Sequence, residues 1–144
     1  MSSDPLHPTR CDDPADTITA FLHRIAVSRI LLEHQLRDAL PMLAIDLRRH
    51  PSNRALFELI DHNALVDACL LLAASQTPPR QILTIERSTT GWSCQLAFAT
   101  SKGTRRTRAE HTDLAAALLI AIVRSTIPVR HRTSSITTNR TSKP

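Results

Sequence analysis

With 144 residues, 42% of them hydrophobic and only two glycines, the chain is long enough to bury a core and should be largely regular structure. Its aromatics are few (Phe21, Phe57, Trp92 and Phe98, with no Tyr), so a core of Leu, Ile, Val and Ala is expected, which argues against an all-β sandwich. The net charge of +5 is polarised: residues 1–16 sum to −3, residues 17–79 balance, and residues 80–144 sum to +8, an asymmetry that fits a polyanionic or acidic partner.

Residues 1–15, "MSSDPLHPTRCDDPA", are rich in Pro and Asp and lack an apolar stretch, so a disordered lead-in is expected and a secretory signal is not. Capped by Asp16 or Thr17, "TITAFLHRIAVSRILLEHQLRDAL" predicts one helix ending at Pro41, with Ile18, Phe21, Leu22, Ile25, Leu32, Leu36 and Leu40 on one stripe. Val27, Ile30 and Leu31 fall off that stripe. "MLAIDLRRH" reads as a short helical continuation. The next helical stretch is "SNRALFELIDHNALVDACLLLAAS", with Ser52 as its cap and a break at His62-Asn63. Asp67 is the only polar residue between Ala64 and Ala74. A cross-helix pair between Asp67 and Arg29 is expected, against the simpler pairing of Arg29 with Glu33 and placement of Asp67 in a first helical turn.

"QTPPR" ends the helical pattern, and the hydrophobic period changes to two. "ILTIER" places Leu83 and Ile85 on one face, and "GWSCQLAF" places Trp92, Cys94, Leu96 and Phe98 together. "STTG" and "SKG" are turns, the second with Gly103 in a left-handed position. "TRRTRAE" is a third, polar strand. Thr112 or Asp113 caps a last helix, "LAAALLIAIVRS", closed by Pro128. The predicted class is therefore α+β in ααβββα order. A helical part over 16–76 and a βββα part over 80–127 form one domain, followed by a disordered basic tail over 128–144.

Leu114–Val123 is an unbroken run of ten apolar residues. That is too short to span a membrane, which takes about 20 residues, and it has no polar face with which to lie on one. It reads as a core helix sandwiched between the meander and the N-terminal helices, or as a homodimer seam. In the strand before it, Arg106 and Arg108 should point outward while Arg105, Thr107 and Ala109 face the core. Lys102, Arg105, Arg106 and Arg108, with Arg130 and Arg132 of the tail, are the candidate contacts to a polyanion or acidic partner. The simpler account of the same charges is protection of an edge strand.

The order of a leading helix, three strands and a helix is similar to that of the double-stranded-RNA-binding domain. That family places a Lys cluster at the start of its last helix, where this chain reads "AEHTDLAAA", with Glu110 and Asp113 and no Lys. The resemblance is not adopted. No aromatics interleave with the arginines, as single-strand binders require. Seven histidines are scattered outside metal-ligand spacing, no catalytic or phosphate-loop motif is present, and no cofactor is expected. Cys11, Cys69 and Cys94 show no paired spacing and fit a reducing compartment. The sequence points to a small, cytoplasmic, non-enzymatic accessory or regulatory protein that engages a protein partner and has no membrane association. Nucleic-acid binding through Lys102–Arg108 and the tail is the alternative.

Overall fold

A computed structural model of the protein describes residues 14–43 and 49–128. The lead-in over 1–13, the stretch 44–48 and the tail from 129 onward, with Arg130 and Arg132, lie outside the described residues. The architecture is α+β in the expected order. Helices α1 (Pro14–Val27) and α2 (Glu33–Ala39), a single 3-10 turn (Leu40–Met42), α3 (Asn53–Asp61) and α4 (Leu65–Ser75) precede a three-stranded antiparallel sheet. Its strands, β1 (Gln81–Ser88), β2 (Gly91–Thr100) and β3 (Gly103–His111), lie in sequence order, and helix α5 (Leu114–Thr126) closes the fold.

Helix α5 organises the core. It packs on β2 and β3 on one side and on α1 and α4 on the other, and every residue from Ala115 to Val123 is buried. An all-round apolar helix is stable in water only when so enclosed. The enclosure comes from its own chain, and nothing in the fold supports a homodimer seam through Leu114–Val123, of which Leu114 is half-buried and the rest buried. Asp113 caps α5, its Oδ2 accepting the Ala116 N–H at 3.3 Å.

The β2 alternation holds, with Cys94, Leu96 and Phe98 buried and Trp92 half-buried against the core. Gly91 (φ +145°) is required by close approach, because a Cβ there would sit 2.6 Å from the His111 carbonyl oxygen. In β1, Ile82 pairs with Leu96 but Thr84 pairs with Gln95, so Leu83 is an inserted bulge residue. Leu83 and Ile85 are both exposed, because the helical cover is centred on β2 and β3 and barely reaches this edge strand.

Two expectations for the helices are corrected. The first helix is broken after Val27, and α2 begins only at Glu33. Ser28 Oγ donates to the Arg24 carbonyl at 2.9 Å, satisfying the end of α1, while Gln35 Oε1 accepts the Leu32 N–H at 2.9 Å and starts α2. Arg29 falls in this connection, exposed, with no pairing to Asp67 or to Glu33. Glu33 pairs with Arg37, which also pairs with Asp61 of α3, and Asp67 is exposed in the first turn of α4. The break at His62-Asn63 is present, with Asn63 left-handed at φ 57°. Ser52 precedes α3 but makes no side-chain cap; its N–H instead donates to His50 Nδ1 at 3.1 Å.

Candidate functional site

The basic hairpin was the sequence's strongest candidate, and its charges diverge in the fold. A two-residue turn, Ser101-Lys102, joins β2 to β3 and exposes Lys102 at the tip. Thr100 Oγ1 donates to the Gly103 carbonyl at 2.6 Å and fixes the turn. Along β3 the alternation places Arg106 and Arg108 on the outer face of the sheet and Arg105 on the core-side face with Thr107, Ala109 and His111. On the outer face Arg108 is already engaged, donating to Ser93 Oγ at 3.1 Å and pairing with Glu110 at 3.0 Å. Arg106 stands exposed opposite Ala97.

Arg105 reaches over the ring of its cross-strand partner Phe98, with its guanidinium carbon 5.6 Å from the ring centroid. A second guanidinium, that of Arg80, shares the same ring at 4.1 Å. Arg80 is buried in the connection between α4 and β1. It donates to Ser125 Oγ at 2.9 Å, to the Ser125 carbonyl at 3.3 Å and to the Pro78 carbonyl at 2.6 Å, which ties it to the C-terminal end of α5. Burial, and then the charge of Arg105, hold its pKa below the ordinary value. Sequence reasoning missed Arg80, whose only local signal is two preceding prolines. It also missed Arg124, which donates to the Arg108 carbonyl at 2.9 Å; its place in the last turn of α5 was the available signal.

A second feature lies at the opposite end of α5, in residues 28–32. Asp113 Oδ2 accepts the Leu31 N–H at 2.8 Å, Thr112 Oγ1 donates to the Arg29 carbonyl at 3.2 Å, and the Leu31 side chain is buried. His111 Nδ1 accepts the Asp113 N–H at 2.9 Å, so the ring proton sits on Nε2, which donates to the Ile25 carbonyl at 2.9 Å. The chain from Ile25 in α1 to Leu31 in the connection is therefore held at three points. It presents Val27, Ile30 and Leu32 to solvent, with Val27 70% and Ile30 58% exposed. Ala26, next to Val27, lines a cleft of about 300 Å³ with Trp92 and the β1–β2 turn, and Ile85 lies in β1 three residues before its last residue, Ser88.

Among the described residues no group of three metal-binding side chains comes together, and no helix is long and apolar enough to cross a membrane. Comparisons with protein-family models, with curated proteins and with solved structures find no match to this chain.

Proposed function

We propose that the chain is a non-enzymatic accessory module acting inside the cell by binding a protein partner, with the α1–α2 connection as its contact surface. The observation that carries this reading is the exposure of Val27, Ile30 and Leu32 within six residues of a backbone fixed by Thr112 and Asp113. Apolar side chains displayed from a rigid scaffold lose little conformational freedom on binding, so their burial goes into affinity. The test is a Val27→Ser, Ile30→Ser, Leu32→Ser variant, compared with wild type in crosslinking followed by affinity capture from the native cell. A discrete partner that is captured by wild type and lost by the equally folded variant supports the reading. Equal capture by both removes it.

The second reading is binding of nucleic acid by Lys102, Arg105, Arg106 and Arg108, aided by Arg130 and Arg132. It is favoured by Arg105 and Arg106, neither of which has an ion-pair partner among the described residues. Its test is a salt titration of labelled DNA and RNA with Arg105, Arg106 and Arg108 changed together to Ala. Affinity that falls steeply with salt in wild type and drops in the variant supports it. Absence of binding at low salt removes it.

A further inference from the structure

Strand β1 is open to solvent along nearly its whole length: among its residues only Ile82 is not exposed. It pairs with β2 along one edge and leaves the other edge free. A two-residue turn closes the β1–β2 hairpin on the pair Ser88–Gly91, and antiparallel hydrogen bonding alternates from there. Glu86 and Thr84 therefore bond to β2, while the backbone N–H and C=O groups of Ile85 and Arg87 point out of the sheet. Among the described residues no helix or loop answers them with a backbone hydrogen bond.

The opposite edge of the sheet is guarded. There the Arg108 carbonyl accepts from Arg124 at 2.9 Å, and Arg106, Arg108 and Glu110 line the strand with charge. β1 holds neither Pro nor Lys, and its one acid, Glu86, and one base, Arg87, leave it neutral in a chain of net charge +5. The bulge at Leu83 ends regular pairing on one side. From Thr84 to Ser88 the ladder is regular, and Ile85 shares the core-side face of its cross-strand partner Cys94. Helix α5 covers that face over β2 and β3, so Cys94 is buried while Ile85 stays 39% exposed.

We propose that β1 pairs antiparallel with β1 of a second copy of the chain, joining the two sheets about a two-fold axis at Ile85. A neutral edge in a basic chain suits a partner that is neutral at the same place, and a second copy presents that edge by symmetry. Charge then selects the register. Residues whose backbone points outward must face one another, which allows Arg87 on Arg87, Ile85 on Arg87, or Ile85 on Ile85. The first sets like charges opposite. The second sets Glu86 opposite Glu86 in the closer, non-hydrogen-bonded kind of pair. The third sets Glu86 opposite the Thr84 hydroxyl of the second copy, which can donate to it. In that register the two Ile85 residues exchange both backbone hydrogen bonds, and their side chains cover each other where neither chain supplies a helix. The seam uses none of Val27, Ile30 or Leu32, so it stands apart from the protein-binding surface proposed above.

The test is sedimentation velocity of the full chain over a concentration series in the presence of a reductant. Wild type should pass from monomer to dimer as concentration rises. Ile85→Lys and, separately, Ile85→Glu put like charges on the axis and remove the apolar contact, and each should weaken association by about tenfold or more. Mixed in equal amounts, the two variants should associate more tightly than either alone, because their opposite charges meet only if residue 85 faces its own copy. Glu86→Gln should leave association within about twofold, since Glu86 faces Thr84. A wild type that stays monomeric throughout would overturn the seam, as would undiminished association of the Ile85 variants or a mixture no tighter than its components. Marked strengthening by Glu86→Gln would overturn the register, by showing Glu86 against Glu86. The chain with Val27, Ile30 and Leu32 changed to Ser should dimerise as wild type does, and loss of association there would place the contact at the α1–α2 connection instead. Thermal melts of the variants confirm that they are folded.

Discussion

One carboxylate oxygen of Asp113 serves two backbone segments, accepting the N–H of Ala116 in its own helix at 3.3 Å and the N–H of Leu31, 82 residues earlier, at 2.8 Å. The cap of α5 is thereby also the clasp that holds the α1–α2 connection. Asp113→Ala removes a helix cap, worth about 1 kcal/mol, and leaves a half-buried N–H without its acceptor, which costs about 1–3 kcal/mol more. The expected loss is therefore about 2–4 kcal/mol, read from the urea midpoint. Asp113→Asn keeps an oxygen acceptor at the same place and should lose less than half as much. Equal losses would mean that the carboxylate's charge, rather than its geometry, holds the joint.

The two glycines separate strain from contact. Both have positive φ, +145° at Gly91 and +117° at Gly103, so a side chain is strained at either place. Only at Gly91 does a Cβ also meet backbone, 2.6 Å from the His111 carbonyl oxygen and 2.8 Å from Thr112 Cα. Gly103→Ala should cost about 1 kcal/mol, the backbone penalty alone. Gly91→Ala must also displace the strand that leads into the Asp113 clasp, and should cost about 3 kcal/mol or more. Paired melting curves check this order, and an inverted order would place the tight approach elsewhere.

These two cases also mark what was legible in the sequence. The alternation in β2 and β3 could be read because it is local: Cys94, Leu96 and Phe98 face inward, and Arg106 and Arg108 outward, by a period of two. The cap of α5 and the break at Asn63 were readable for the same reason. The break after Val27 was not, because the residues that capture the Arg29 carbonyl and the Leu31 N–H are Thr112 and Asp113, far along the chain. A continuous helix would have satisfied the same local pattern. Arg80 was invisible on similar grounds, since two of its three acceptors belong to Ser125, 45 residues later. The bulge at Leu83 breaks the period of two in β1, and nothing in "ILTIER" marks where a ladder slips.

Exposure makes Val27, Ile30 and Leu32 cheap to replace. Each changed to Ser should alter stability by no more than about 0.5 kcal/mol, the range of surface substitutions away from special backbone. Leu31→Ser, in the same connection but with its side chain buried in the core, should cost about 2–4 kcal/mol from lost burial and an added hydroxyl. Denaturant midpoints of the four single variants decide it. A large loss at Val27 or Ile30 would show that these side chains serve the fold rather than a partner.

The buried thiols give a pH dependence whose sign follows from their surroundings. Cys69 and Cys94 flank α5, their Sγ atoms 3.6 Å and 3.8 Å from the Ala115 and Ala117 carbonyl oxygens. Burial pushes the Cys94 thiol from about 9 up to about 11 and raises that of Cys69 as well, with the charge of Asp113 adding to the latter. Above pH 9 the unfolded chain releases these protons while the folded chain keeps them. The stability the thiols contribute is therefore whole below pH 9 and is lost as the pH rises through 9 toward 11. The slope is about 1.4 kcal/mol per pH unit for each thiol in that window. Other groups titrate there too, so the measurement is a difference: urea midpoints at pH 8 and pH 10.5 for a Cys11→Ser chain, against the same chain with Cys69→Ala and Cys94→Ala. The triple variant should start less stable at pH 8 and lose less on going to pH 10.5. At pH 8 the two thiols should also react with a thiol reagent only as fast as the protein unfolds, because neither the neutral sulfur nor its buried position admits attack. Fast labelling of folded protein would place at least one of them outside the core.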